Sequence, residues 1–147
     1  MTQPTSPARP TIVNIAFWLV LVGAVLLLSG GLLGLSVAFS AEDAVFGKNT
    51  SAEAVQTLRM LLGGLSVLWA LVGMALSFLA GRARNGDLRF RRVVVWMAVA
   101  VVVMVFLLTL LAPFTVTLPV LFGVVPLAIG ATLFMRPAAS DWFLEMQ

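Results

Sequence analysis

The chain predicts an all-α integral membrane protein, a four-helix transmembrane bundle with both ends on the same side (N-in/C-in). Three observations lead there. Of its 147 residues, 61% are hydrophobic and 10% charged, whereas a water-soluble domain carries roughly a quarter charged residues. Four apolar runs are each long enough to cross a hydrocarbon core about 30 Å thick, which takes about 20 helical residues. Finally, five arginines fall between Arg82 and Arg92, with apolar sequence running away from them on both sides. Arginine-rich loops are retained on the cytoplasmic side during insertion, so this cluster sets the direction of every span.

Residues 1–11 hold prolines at positions 4, 7 and 10 and no apolar body, which predicts a disordered cytoplasmic tail. The apolar run behind it is far longer than a signal-peptide core, so the expectation is a retained span. That first span, 12–39, reaches about 42 Å as a helix and must tilt or protrude. Phe17 and Trp18 sit at the depth of an interfacial aromatic belt, and Asn14 at the headgroup boundary. An outer loop, 41–49, carries Glu42, Asp43 and Lys48. Thr50 with Glu53 fits a capping box and opens the second span, 55–80, which ends at Gly81 and the arginine loop. The third span, 93–112, has eight valines between 93 and 105. In water such a run would suggest a buried strand. Flanked by arginines at this length, it predicts a helix in lipid, where every backbone group must be satisfied within the segment. Pro113 to Pro119 contains no charge and predicts a tight outer turn. The fourth span, 118–135, is short, contains Pro126 and ends at Arg136-Pro137, so a kink is expected. Residues 137–147 predict a cytoplasmic interfacial tail, with Ser140 or Asp141 capping a stub that carries Trp142, Phe143 and Met146.

The topology places Arg9, the five loop arginines and Arg136 inside, against Lys48 and Arg59 outside, which is seven against two. So strong a bias opposes a dual-topology protein. Abundant alanine, valine, glycine and arginine suggest a high-GC bacterial genome, and the expected location is the bacterial inner (plasma) membrane as a multi-pass protein. Cysteine, histidine and tyrosine are all absent. Their absence removes disulfides, thiolate or imidazole metal sites, histidine-ligated haem, and catalysis by histidine or cysteine. Asp87, Asp141 and Glu145 are too dispersed to pair as acid and base, so no catalytic, cofactor or metal residue is expected. The basic surplus of +3 lies beside apolar spans, which points to anionic phospholipid and away from nucleic acid.

What remains is contact. In lipid, helices associate through close backbone approach at small residues. Ala16, Gly23, Gly30, Gly34 and Ala38 share one face of the first span, with Gly31 beside them. Gly63, Ser66, Ala70, Gly73, Ser77 and Ala80 form a similar row on the second. The two rows are expected to pack on each other, the alternative being that one docks a helix of another protein. Arg59, one or two turns from the outer boundary, is expected to snorkel to headgroups or meet Glu42, Asp43 or Glu53. Arg82, Arg84, Arg89, Arg91 and Arg92 are expected to contact anionic lipid or an acidic partner, with Asn85-Gly86 marking a turn between them.

Several small four-span families are excluded. Small multidrug exporters need a carboxylate in the first span, membrane b-type cytochromes need histidines, and vitamin K epoxide reductase-like proteins need cysteines. Small fluoride channels are usually balanced in charge, which the arginine bias opposes. With the proline-rich head before Ala16-Phe-Trp-Leu-Val, the stretch Leu28-Ser-Gly-Gly-Leu-Leu-Gly34 and the arginine loop, the chain resembles the small four-span membrane proteins of actinobacteria. The resemblance runs along the whole chain in style, without a shared active-site motif. Some proteins of that class are accessory subunits of large envelope machines. The resemblance therefore implies a non-catalytic accessory subunit, preferably of a Mce-type lipid importer (an ABC transporter for fatty acids or sterols), with a respiratory supercomplex second. A different class of function also fits the glycine faces: a self-oligomerising small transporter or channel for an apolar or neutral solute.

Overall fold

In a computed structural model, which describes residues 10–40, 51–112, 115–137, 139 and 141, the chain is all-helical. Its elements in order are α1 (Thr11–Ser40), α2 (Ala52–Arg84), α3 (Leu88–Leu111) and α4 (Leu118–Met135). Among the described residues there is no strand, and all four helices are long and apolar enough to cross a membrane. The valine-rich third segment is thus helical, as its length and flanking charge require. The expectations for 1–9, for 41–50 with Lys48, for Pro113 and Phe114, and for the 142–147 stub lie outside the described residues.

The two boundaries that flank the arginines differ most from the sequence reading, and for one reason. Hydropathy ends a span where charge begins, but arginine is a good helix former. The second helix continues to Arg84 and the third begins at Leu88, so the expected arginine loop shrinks to Asn85-Gly86-Asp87. Gly86 has φ 93°, a left-handed conformation that glycine adopts without steric cost. Asp87 caps α3, its carboxylate accepting from the Arg89 N–H at 2.9 Å. At its other end α2 is capped by Ser51, whose hydroxyl accepts from the Ala54 N–H at 3.3 Å. The cap therefore falls one residue later than the Thr50 box implied. The fourth helix has the expected bounds and runs unbroken through Pro126. Pro119 lies in its first turn, where a missing N–H costs nothing.

The helices form an up-and-down ring in which α1 packs most extensively, against α2 and α4, while α3 touches α2 and α4 more lightly. On α2 the buried residues Leu62, Ser66, Trp69, Gly73, Leu76, Ala80 and Ala83 recur in alternating steps of four and three, the spacing of a helix seam. Trp69, Leu27, Leu76, Leu127 and Phe134 fill the centre. No charge lies within α1, within α4, or between Arg59 and Arg82 on α2. Two hydroxyls inside the helices are satisfied locally: Ser77 donates to Gly73 O at 2.9 Å and Thr109 to Val105 O at 2.8 Å.

Candidate functional site: helix seams and the arginine end

The small residues of α1 divide between two neighbours. Towards α2, a Cβ added at Gly31 would stand 2.6 Å from Ser66 O and 2.7 Å from Ala70 N. One at Gly73 would stand 2.6 Å from Ala24 O and 2.8 Å from Leu28 N. Gly34 lies over the Ser66 hydroxyl, and Gly63 faces Ala38. This seam joins the α2 row to Gly34 and Ala38 of the α1 row, with Gly31 beside them. Ser77 belongs to the α2 row by spacing, but it is half-buried and its hydroxyl is bonded to its own helix.

Gly23 and Gly30 face α4, a partner the sequence reading did not assign them. A Cβ at Gly23 would stand 2.9 Å from Gly123 O, and one at Gly123 would stand 3.1 Å from Gly23 O. Gly130 lies against the backbone of Ala16 and Val20. Gly123 and Gly130 were missed, yet the signal was present: they repeat the seven-residue step of Gly23 and Gly30 on a helix running the other way. At the far end of this seam the Thr117 hydroxyl donates to Gly30 O at 3.1 Å. Thr117 precedes α4 and makes no side-chain cap there; its hydroxyl ties the helix start to α1 instead.

The five clustered arginines separate into two groups. Arg84 lies over the Phe17 ring, 4.7 Å from its centroid, and joins the end of α2 to the start of α1. Arg82 sits between Phe78 at 5.5 Å and Phe90 at 5.8 Å. Cation–π contacts of this kind hold a guanidinium against an apolar surface. Arg89, Arg91 and Arg92 stand at the start of α3, with Arg89 and Arg92 exposed. Arg91 and Arg92 line an open groove of about 550 Å³ between α3 and the end of α4, with Leu88, Val95, Trp96 and Met135. At the opposite end of the bundle Arg59 is half-buried and lines a groove of about 420 Å³ with Gln56, Met60, Gly63 and Phe39.

Among the described residues no three acidic, histidine or cysteine side chains come together as a metal cluster would require. By length and composition the four helices are those expected of a multi-pass membrane protein. No family model, no curated protein and no solved structure matches the chain.

Proposed function

We propose that the chain is a non-catalytic accessory subunit of a larger bacterial inner-membrane complex, which it stabilises by helix contact within the bilayer. A Mce-type lipid-importing ABC transporter is the preferred host, in line with the resemblance drawn from the sequence. In this reading the arginine end and both termini are cytoplasmic, and the arginine cluster contacts anionic phospholipid.

The observation that carries the reading is the unequal enclosure of the helices. The first helix packs on two neighbours along glycine seams and buries the largest share of its residues, while α3 buries the smallest share and leaves Phe106, Leu110 and Leu111 more than 60% exposed. One side of the bundle is a tightly packed clamp; the other offers a long apolar flank for a larger membrane partner. With charge confined to the helix ends, contact is what this surface supplies. The buried glycines favour this reading over the self-assembling transporter or channel, whose pathway would draw on the same faces.

The test is purification from native membranes in mild detergent. Larger membrane proteins should co-purify, and Phe106→Ala with Leu110→Ala should deplete them. The same changes at Leu71 and Met74, exposed on α2, should not. A chain that runs alone under these conditions overturns the proposal.

A further inference from the structure

The α1–α4 seam fixes the register of its two helices. Gly130 lies against Ala16 and Val20, and Gly30 lies against Thr117 and Val120. The Thr117 hydroxyl is tied to Gly30 O at that level. Helix α4 therefore begins level with Gly30, while α1 continues to Ser40. Those ten further residues of α1 rise about 15 Å along its axis. Only residues 112–117 separate α3 from α4, so α3 ends near the level at which α4 begins. Helix α2 stands tall beside α1: Gly63 faces Ala38, and the first charge beyond Gly63 is Arg59.

The apolar surface thus has a stepped rim at the end away from the arginine cluster. On the tall side Phe39 is 78% exposed and Met60 67%; on the short side Leu111 is 81% exposed and Leu118 69%. The step matches one leaflet of a hydrocarbon core about 30 Å thick, so a flat leaflet cannot suit both levels. A leaflet that meets Phe39 would sink the α3–α4 corner in hydrocarbon. Two helix ends meet at that corner, and helix ends carry backbone groups without intrahelical partners. Hydrocarbon offers such groups nothing, so they draw headgroups and water down to themselves. A leaflet that meets Leu118 would instead strand the apolar ends of α1 and α2 among headgroups and water, where burial of their apolar surface is lost. A bilayer answers a mismatch of this kind by thinning beside the short surface and thickening beside the long one.

We infer that this stepped rim deforms the leaflet away from the arginines, thinning it beside the α3–α4 corner and thickening it beside the ends of α1 and α2. The partner is the phospholipid leaflet itself, recognised by its thickness and not by its headgroup. The inference rests on the membrane-spanning part of the reading above and not on the identity of any host complex. A host docked on the α3 flank would meet a thinned leaflet there as well as an apolar helix.

Because the chain has no cysteine, single nitroxide labels read depth one position at a time. Phe39→Cys, Met60→Cys, Leu111→Cys and Leu118→Cys are labelled separately and reconstituted in dioleoylphosphatidylcholine vesicles. Collision with oxygen, set against collision with a water-soluble nickel chelate, gives each label's depth below the phosphates. In a sloped leaflet the depths at Phe39 and Leu118 differ by less than half of the ~13 Å between their levels along α1. Met60 and Leu111 form a second pair with the same expectation. A difference of the full ~13 Å means a flat leaflet, with either a sunken corner or a protruding tip, and overturns the inference. Ile15→Cys and Thr132→Cys test for tilt. Ile15 is 49% exposed and Thr132 is exposed, and the contacts of Gly130 with Ala16 and Val20 set the two level. Equal depths there, together with equal depths at the step, support the slope. Unequal depths there mean that the whole bundle leans in a flat bilayer, which also overturns the inference. Labels that all meet the nickel chelate as freely as in water defeat the membrane-spanning reading itself.

Discussion

At the scale of single residues, glycine has two different jobs in these helices. Gly31 and Gly73 sit where a methyl group would press on a neighbouring backbone, which cannot swing aside. Gly34 lies over the Ser66 side chain, and a side chain can rotate. Gly64 and Gly81 have nothing within 4 Å of an added Cβ. Alanine at Gly31 or Gly73 should therefore cost about 1–3 kcal/mol, the usual penalty of forcing extra volume into a packed seam. Gly34→Ala should cost less, and Gly64→Ala should be neutral or gain up to about 1 kcal/mol from helix propensity. Reversible unfolding in mixed micelles, followed by circular dichroism, measures the order; equal losses at Gly31 and Gly64 would contradict the seam. Trp69 poses another residue-level question. It is 1% exposed, and its indole N–H meets no acceptor among the described residues. Truncating a buried tryptophan to alanine costs about 3–5 kcal/mol. Trp69→Phe should cost less than about 1.5 kcal/mol, because it also removes a buried donor whose lack of a partner is itself worth about 1–3 kcal/mol. The same unfolding assay reads it.

At the scale of elements, the decisive unit is the corner between α2 and α3. Charge persuaded the sequence reading that this was a loop of eleven residues, yet the helices meet across Asn85, Gly86 and Asp87. The cues to the shorter corner were present. Asn85-Gly86 was legible as a turn, and Asp87 before Leu88 is a common start signal for a helix. What hydropathy could not show was that Phe17, Phe78 and Phe90 would receive the guanidiniums of Arg84 and Arg82, because those rings come from three separate helices. Elsewhere the length of the apolar run was enough: the bounds of α4 matched, and those of α1 were met to within one residue at each end. The α1–α4 seam was the real omission, since spacing within a helix defines a face but not which neighbour covers it. Two expectations follow for the corner. Replacing Gly86, at φ 93°, with alanine should destabilise by about 1–2 kcal/mol, the ordinary penalty for a left-handed residue with a Cβ. Arg84→Gln, Phe17→Leu and their double variant should show a coupling of about 0.5–1 kcal/mol. A cycle that closes at zero would mean that Arg84 holds the helix ends by charge alone.

At the scale of the whole molecule, the arrangement depends on one asymmetry, the concentration of positive charge at one end. Arg82, Arg84, Arg89, Arg91, Arg92 and Arg136 all fall at that end of the bundle, with Arg59 near the other. In the proposed topology, retention of arginine in the cytoplasm puts this end inside. The chain contains no cysteine, so single cysteines can report on orientation without background. Ser51, at the start of α2, and Asn85, at the corner, are both exposed and lie at opposite ends of one helix. In intact bacterial cells a membrane-impermeant maleimide should label Ser51→Cys at once. It should label Asn85→Cys only after the membrane is permeabilised. The reverse pattern would put the arginines outside. Equal labelling of both positions before permeabilisation would mean that the chain inserts both ways, against the charge bias. Because the two sites share a helix about 50 Å long at ~1.5 Å per residue, opposite labelling also shows that α2 crosses the bilayer rather than lying along it.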